Sequence, residues 1–399
     1  MENKKVDFKG KSIPELQSHS LKEGPAEKSG ISRVLWDISG AFGDIGILLP
    51  IAIALIAKNG FNPTALFLSA GIFYLASARY FRITMPVQPL KAMSAIAIAA
   101  GLNYQVMNAA GITMGVILLL LAVTGLSVRL GSYFPVPVIR GIQLGLGMLL
   151  VRSSLDLIQS DTYIAILAGT VLFAGIFLVK RLPALIPLMA VGLFFSLKGT
   201  DMTGIGPAAI TPIIPDFDDL WKALTLLVLP QIGLTFGNAI VATEATGKIL
   251  YGRTADRLTL KSIPVSMGIA NIASGILGGA PMCHGCGGLT AHHSFGARNE
   301  RSGYIIGLLF IALALLFGDS ALAMVSGFPS GILGVLLCYV GIQHSLFIKD
   351  IAGNKTAMAI ALCVAIPGYA SSNLTIGFLF GLGLYYGLPG MRRIFKEVA

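Results

Sequence analysis

Residues Pro281-Met282-Cys283-His284-Gly285-Cys286-Gly287-Gly288-Leu289 lie between two long apolar runs, yet they open on a proline and carry three glycines. Inside a bilayer no water serves free backbone N–H and C=O groups. Irregular backbone at membrane depth therefore survives only within protein or beside a watery cavity. The residue order reads as an extended segment turning into a short helix. The first turn of such a helix has N–H groups with no intrahelical acceptor and a positive dipole end, which together favour an anion. The first half holds a counterpart, Met85-Pro86-Val87-Gln88-Pro89-Leu90-Lys91, a second proline-broken entry into an apolar helix. Two interrupted segments at matching places in two halves point to a substrate site in a membrane transporter.

Spacing supports the pairing. Phe42-Gly43-Asp44 recurs 194 residues later as Phe236-Gly237-Asn238, and Phe134-Pro135 recurs at the same shift as Phe328-Pro329. Pro86 and Pro281 are 195 apart. Landmarks that keep one order and one offset indicate a duplicated unit.

Composition sets the class. Of 399 residues, 55% are hydrophobic and only 12% charged, against about 25% charged in soluble domains. The 48 glycines suit helices that approach closely in lipid. The four cysteines, Cys283, Cys286, Cys338 and Cys363, all fall in apolar segments, and no disulfide framework is read from them. The first apolar run begins near Val34, too late for a secretory signal.

Apolar segments are expected near 34–57, 62–80, 86–102, 109–130, 136–155, 162–180 and 183–198, then near 220–246, 262–279, 282–297, 302–319, 322–344, 355–371 and 373–390. The expected fold is an all-α polytopic membrane protein of fourteen spans in two seven-span repeats, with the third and tenth spans broken. An odd number of spans per repeat inverts the second relative to the first. The expected division is a cytosolic tail at 1–33, a first repeat at 34–198, an external linker at 199–219, a second repeat at 220–390 and a cytosolic tail at 391–399. With both termini inside, Lys58, Arg152, Lys198 and Lys222 fall outside and Lys91 falls within the membrane. The other 24 of the 29 Lys and Arg lie on the cytosolic side, as the positive-inside rule requires. The net charge of +10 thus reflects membrane orientation, and no nucleic-acid partner is expected.

Several residues are candidates for chemistry. Lys91 is a charge within a span, costly unless functional or paired. Its ammonium compensates an anionic substrate or pairs with a carboxylate such as Asp44. Asp44, in Gly43-Asp44-Ile45-Gly46, is a coupling carboxylate or a structural cap. Gln88, Gln231 and Asn238 are neutral amides that glue helices or donate to an oxyanion. Cys283, His284 and Cys286 resemble zinc ligands, but one Cys-x-x-Cys without a second ligand pair does not make a zinc site. No metal, cofactor or catalytic residue is therefore expected. His292 and His293 read as a polar helix end or as proton relays, Arg140 as a snorkelling topology anchor, and Glu244 as an i,i+4 partner of Lys248.

Gly-Asp-Ile-Gly at 43–46, Pro-Val-Gln-Pro-Leu-Lys at 86–91 and Pro-Val-Ile-Arg-Gly-Ile-Gln at 137–143 resemble first-half motifs of the molybdate transporter family. Pro-Gln-Ile-Gly-Leu-Thr-Phe-Gly-Asn at 230–238, Pro-Met-Cys-His-Gly-Cys-Gly-Gly-Leu at 281–289 and Phe-Gly-Ala-Arg at 295–298 resemble those of the second half. The family is similar to the sulphate permeases and, more distantly, to the uracil and nucleobase permeases. The resemblance implies a core domain of spans 1–4 and 8–11 beside a gate domain of spans 5–7 and 12–14.

The expectation is not an enzyme but a secondary active transporter of a tetrahedral oxyanion by alternating access, with molybdate first. A sulphate transporter or an anion channel on the same scaffold are the alternatives. The expected binding residues are Gln88, Pro89, Leu90, Lys91, Asn238, Cys283, His284 and Gly285, with Gln231 as a further contact and Asp44 as the coupling candidate, by proton symport. The expected location is the plasma membrane, and a homodimer is left open.

Overall fold

The computed structural model describes residues 30–43, 45–131, 135–175, 185–198, 206–212, 214–318 and 320–387. The chain begins with α1 (Gly30–Ala41), α2 (Ile45–Asn59) and α3 (Pro63–Phe81). Next come a two-residue strand β1 (Gln88–Pro89), α4 (Lys91–Ala100), α5 (Tyr104–Val123) and the short α6 (Leu126–Gly131). The first half ends with α7 (Val136–Ser160), α8 (Thr162–Phe173) and α9 (Leu185–Lys198). The second half opens on one helix, Phe217–Ala255. Its α-helical pieces are α10 (Phe217–Lys222), α11 (Leu229–Leu234) and α12 (Thr243–Tyr251), joined by wider π turns over Ala223–Val228 and Thr235–Ala242. Then follow α13 (Ser262–Leu277), β2 (Met282–Cys283), α14 (Cys286–Ser294) and α15 (Arg301–Phe317). The last helices are α16 (Ser320–Ser326), α17 (Ser330–Ser345), α18 (Lys355–Ala370) and α19 (Leu374–Gly387).

Local chemistry sets many of these boundaries. Asn62, Asn103 and Asn354 cap α3, α5 and α18, each side-chain oxygen accepting a first-turn N–H at 2.9–3.1 Å, the role short amides fill best. Three expected spans are interrupted. The run 34–57 breaks at Phe42-Gly43, where a Cβ on Gly43 would stand 2.7 Å from Ala291 O. The run 109–130 divides at Gly125, at φ +70, between α5 and α6. The run 322–344 divides around Gly327-Phe328-Pro329 into α16 and α17, because proline disfavours helix in the residue before it.

The helices pack through glycines. Where α3 crosses α15, a Cβ on Gly71 would lie 2.7 Å from Gly307 O, and one on Gly307 3.0 Å from Gly71 O. Where α5 crosses α13, Gly115 and Gly268 make the same reciprocal approach, at 2.7 and 3.0 Å. Where α7 crosses α17, the pair is Gly147 and Gly341, at 2.6 and 2.8 Å. Any side chain there would drive the backbones apart. Helices Pro63–Phe81, Tyr104–Val123, Val136–Ser160, Phe217–Ala255 and Ser330–Ile351 are long and apolar enough to cross a membrane. Large apolar side chains such as Leu120, Ile166, Leu308 and Leu379 face outward. In water such a surface would aggregate, whereas in lipid it is the wetted face. The chain is an integral membrane protein.

Candidate functional site

The two broken segments meet. β1 and β2 pair antiparallel, with Gln88 opposite Cys283 and Pro89 opposite Met282. Leu90 N adds a bond to Pro281 O at 2.9 Å. Each strand runs directly into a helix, β1 through Leu90 into α4 and β2 through His284-Gly285 into α14. Neither Leu90 nor Gly285 caps its helix with a side chain. The first-turn N–H groups of Cys286, Gly287 and Gly288 therefore have no intrahelical acceptor, and two positive dipole ends are brought side by side.

Lys91 stands between them. Its Nζ is sealed from solvent and has no hydrogen-bond partner among the described residues. A Cβ built on Gly285 would lie 3.0 Å from Gln88 Oε1 and 3.5 Å from Lys91 Nζ. Gln88, Lys91 and Gly285 thus share one small space. Leu146 and Leu150 of α7 cover Gly287, at 3.3 and 3.7 Å from its built Cβ, so the polar space has an apolar cover. Asp44 lies outside the described residues. Its neighbour Gly43 packs on the backbone of Ala291 and His292 in α14.

The other expected residues divide by what their side chains do. His284 Nδ1 faces Pro86 O at 2.9 Å and so carries the hydrogen. In the neutral ring Nε2 then accepts from Ser266 Oγ at 3.0 Å. The ring lies 4.7 Å from Phe73 and 5.5 Å from Phe81, centroid to centroid. The His284 side chain therefore staples the two broken segments, and only its backbone borders the shared space. Gln231 Oε1 accepts Met93 N at 3.0 Å, satisfying a first-turn donor of α4, and its Nε2 donates to Thr235 Oγ1 at 3.0 Å. Asn238, in the π turn, accepts Cys286 Sγ at 2.7 Å. The Cys283 side chain is buried, 4% exposed. Pro89 and Leu90 contribute backbone.

Four supports had weak or no signal in the sequence. Asn271 of α13 donates to Met282 O at 2.7 Å and accepts Met282 N at 2.8 Å, acting as a second strand partner for β2. A lone amide in an apolar helix was the available clue. Thr243 Oγ1 donates to His284 O at 2.9 Å. His344 of α17 reaches Thr290 Oγ1 at 2.8 Å and Cys286 Sγ at 3.3 Å. Gln143 of α7 donates to Thr246 Oγ1 at 2.8 Å. The snorkelling reading of Arg140 is corrected. Arg140 is only 6% exposed, and it donates to Gln143 Oε1 at 2.9 Å and to Asp350 Oδ2 at 2.6 Å. That carboxylate arrives from a turn 210 residues away, so the pairing is invisible in local sequence. Lys248 does reach Glu244, at 2.6 Å.

The fold defines the class. It is similar to the transmembrane domain of the cyanobacterial bicarbonate transporter BicA, with a TM-score of 0.57, 20% identity, and coverage of 88% of this chain and 98% of that one. It is also similar to SLC26A9, with a TM-score of 0.59, 13% identity, and coverage of 93% and 66%. This is a transmembrane transporter fold. The chain belongs to the molybdate transporter family, described as molybdate transporter of MFS superfamily, whose profile matches residues 37–150 and 223–343. Each matched block carries one of the two broken segments. Among relatives, molybdate transporter 2 of Arabidopsis thaliana is 27% identical over 410 residues, covering 88% of this chain and 86% of its own. The protein is accordingly a transporter and not an enzyme.

Proposed function

We propose that the protein is a secondary transporter of a tetrahedral oxyanion, molybdate first, held between the N-termini of α4 and α14. The observation that carries this reading is the Lys91 ammonium. It is buried, without a hydrogen-bond partner among the described residues, and directed at the first residues of α14. An isolated charge in apolar surroundings is costly. Two helix N-termini beside it add positive potential rather than offset it. A dianion is the species whose binding resolves all three. Backbone N–H groups of Cys286, Gly287 and Gly288, the Gln88 amide and Lys91 Nζ would supply the donors. Asn238 and Gln231 would hold the two helix starts in place.

The proposed membrane organisation follows the duplication. The five long apolar helices and the seven shorter ones, with broken α4 and α14, would make fourteen spans. Gly147 and Gly341, which touch each other, are separated by the same 194 residues as the sequence landmarks. The crossings of α3 on α15 and α5 on α13 exchange under that shift. Both observations support two inverted repeats related about the α7–α17 crossing. In that arrangement a core of α1–α6 and α10–α15 would move against a gate of α7–α9 and α16–α19. Both termini would be cytosolic, the membrane would be the plasma membrane, and Asp44 would carry the coupling proton.

The test is molybdate binding by calorimetry and uptake into proteoliposomes. Lys91→Gln should weaken binding by about tenfold or more, since hydrogen bonds to charged groups contribute about 1.5–3 kcal/mol. Equal affinity in the variant would exclude charge compensation by Lys91. Competition by sulphate, which shares charge and shape, decides whether the site distinguishes the two. Asp44→Asn should retain anion exchange but lose pH-driven accumulation.

A further inference from the structure

A second cavity lies between two helices of the core. It has a volume of 350 Å³ and is a groove between α3 and α13, floored by Phe73, Ser266 and Ala270 and flanked by Ile72, Tyr80 and Ile269. Its flanking residues are about half exposed, Ile72 at 48%, Tyr80 at 50% and Ile269 at 58%. In a membrane protein this surface faces hydrocarbon. Serine is the only polar residue in the lining apart from the phenol of Tyr80.

The two ends of the groove differ. Along the chain, the end at Tyr80 and Ser262 adjoins exposed Arg79, Arg82, Arg257 and Lys261, with one acid, Asp256, among them. Arg257 is fixed there, donating through Nη1 to Tyr80 O at 2.9 Å. The opposite end, at Ser69 and Leu277, adjoins no charged residue over 62–70 or 274–281. From Tyr80 to Ser69 the groove follows α3 for about 17 Å at 1.5 Å per residue. That matches one leaflet of a hydrocarbon core about 30 Å thick.

We propose that this groove is a binding site for one acyl chain of an anionic phospholipid, whose phosphate lies among the basic residues at the Tyr80 end. Apolar lining of leaflet length accounts for the chain, and clustered Lys and Arg at its mouth account for the headgroup. The groove also touches the support of the strand pair. Two of its floor residues, Phe73 and Ser266, contact the His284 ring, at 4.7 Å between centroids and 3.0 Å from Oγ to Nε2. A bound chain would therefore brace His284 from behind.

The experiment uses the full chain in bilayer discs carrying phosphatidylglycerol or phosphatidylcholine with a photoactivatable diazirine on the acyl chain, and maps adducts by peptide mass spectrometry. The phosphatidylglycerol probe should label peptides 69–80 and 262–277 about tenfold more than the phosphatidylcholine probe, given the attraction each basic residue exerts near the surface. The double variant Arg257→Gln with Lys261→Gln should remove most of that preference, while Ala273→Trp should abolish labelling of both peptides by plugging the groove. The mouth variants lie in exposed positions and give up only the surface bond from Arg257 to Tyr80 O, so they decide the question even where Ala273→Trp fails to fold. Adducts spread evenly over other lipid-facing helices such as α8, or labelling without headgroup preference, would each overturn the proposal.

Discussion

A methyl group added at Gly285 would stand 3.0 Å from Gln88 Oε1, in a space that a movable side chain can widen. Added at Gly288, it would press first on the Gln88 side-chain amide and also meet Pro86 Cβ at 2.6 Å, which is tied to rigid backbone. Both changes press on Gln88, so the two glycines are separated by stability, where only Gly288 meets Pro86. Gly285→Ala should melt like the wild type yet bind molybdate more weakly, because the added carbon enters the shared space beside Lys91. Gly288→Ala should lower the melting temperature, with an overpacking cost of about 1–3 kcal/mol. Thermal melts and calorimetry on the pair check both, and equal behaviour of the two variants would contradict the assignment. The thiol at 286 allows a second comparison. Cys286→Ser keeps a donor for Asn238 Oδ1 and should retain most binding. Cys286→Ala leaves that buried oxygen without it, at a cost of about 1–3 kcal/mol. Complete loss of binding in the serine variant would instead revive a metal-thiolate site.

At the scale of elements, the strand pair is too short to hold itself. β1 and β2 are two residues each, and an isolated pair of strands even of ordinary length is marginal. Neighbouring helices complete it. Asn271 satisfies both backbone groups of Met282, Ser274 donates to Ala280 O at 2.9 Å, and Thr243 donates to His284 O. Asn271→Ala should therefore destabilise far more than a surface amide, on the order of 2–6 kcal/mol for two buried backbone groups at about 1–3 each. Because Asn271 does not border the shared space, folded protein should also bind molybdate less tightly through loss of alignment alone. A melting temperature unchanged from the wild type would contradict this account of β2.

Across the whole molecule, three hydrogen bonds join helices that the proposed mechanism must separate, one of them from Cys286 Sγ to His344 at 3.3 Å. Gln143 of α7 bonds Thr246 of α12, and His344 of α17 bonds Thr290 of α14. Each is buried and contributes about 0.5–1.5 kcal/mol. Thr246→Val should therefore shift the balance of access states about twofold to tenfold. The rate at which a small thiol reagent labels Cys286, followed by peptide mapping, reports that shift, and an unchanged rate would show that the bond does not restrain access. Orientation has its own measurement. Single cysteines at Ser20 and Gly204 are treated with an impermeant thiol reagent in intact cells. Position 204 should label and position 20 should not, and the reverse pattern would invert the proposed topology.

Membrane class, the approximate bounds of most helices and the two broken segments were all legible in the chain. The reason is that lipid imposes its demands locally. Apolar length, helix breakers and charge placement act within some twenty residues. The expected runs near 62–80, 262–279 and 355–371 accordingly differ from α3, α13 and α18 by no more than two residues at either end. The placing of Lys91 beside a helix start was legible for the same reason. Only the tertiary structure decided which polar side chains face the shared space and which support it. His284 turns to Pro86 and Ser266, Gln231 caps α4 from another helix, and Arg140 finds Asp350 rather than the interface. These partners lie 18 to 210 residues apart along the chain. A buried polar group takes whichever donor or acceptor the fold brings within about 3 Å. That choice depends on how helices cross, and helix crossing here depends on paired glycines whose contacts no local pattern records.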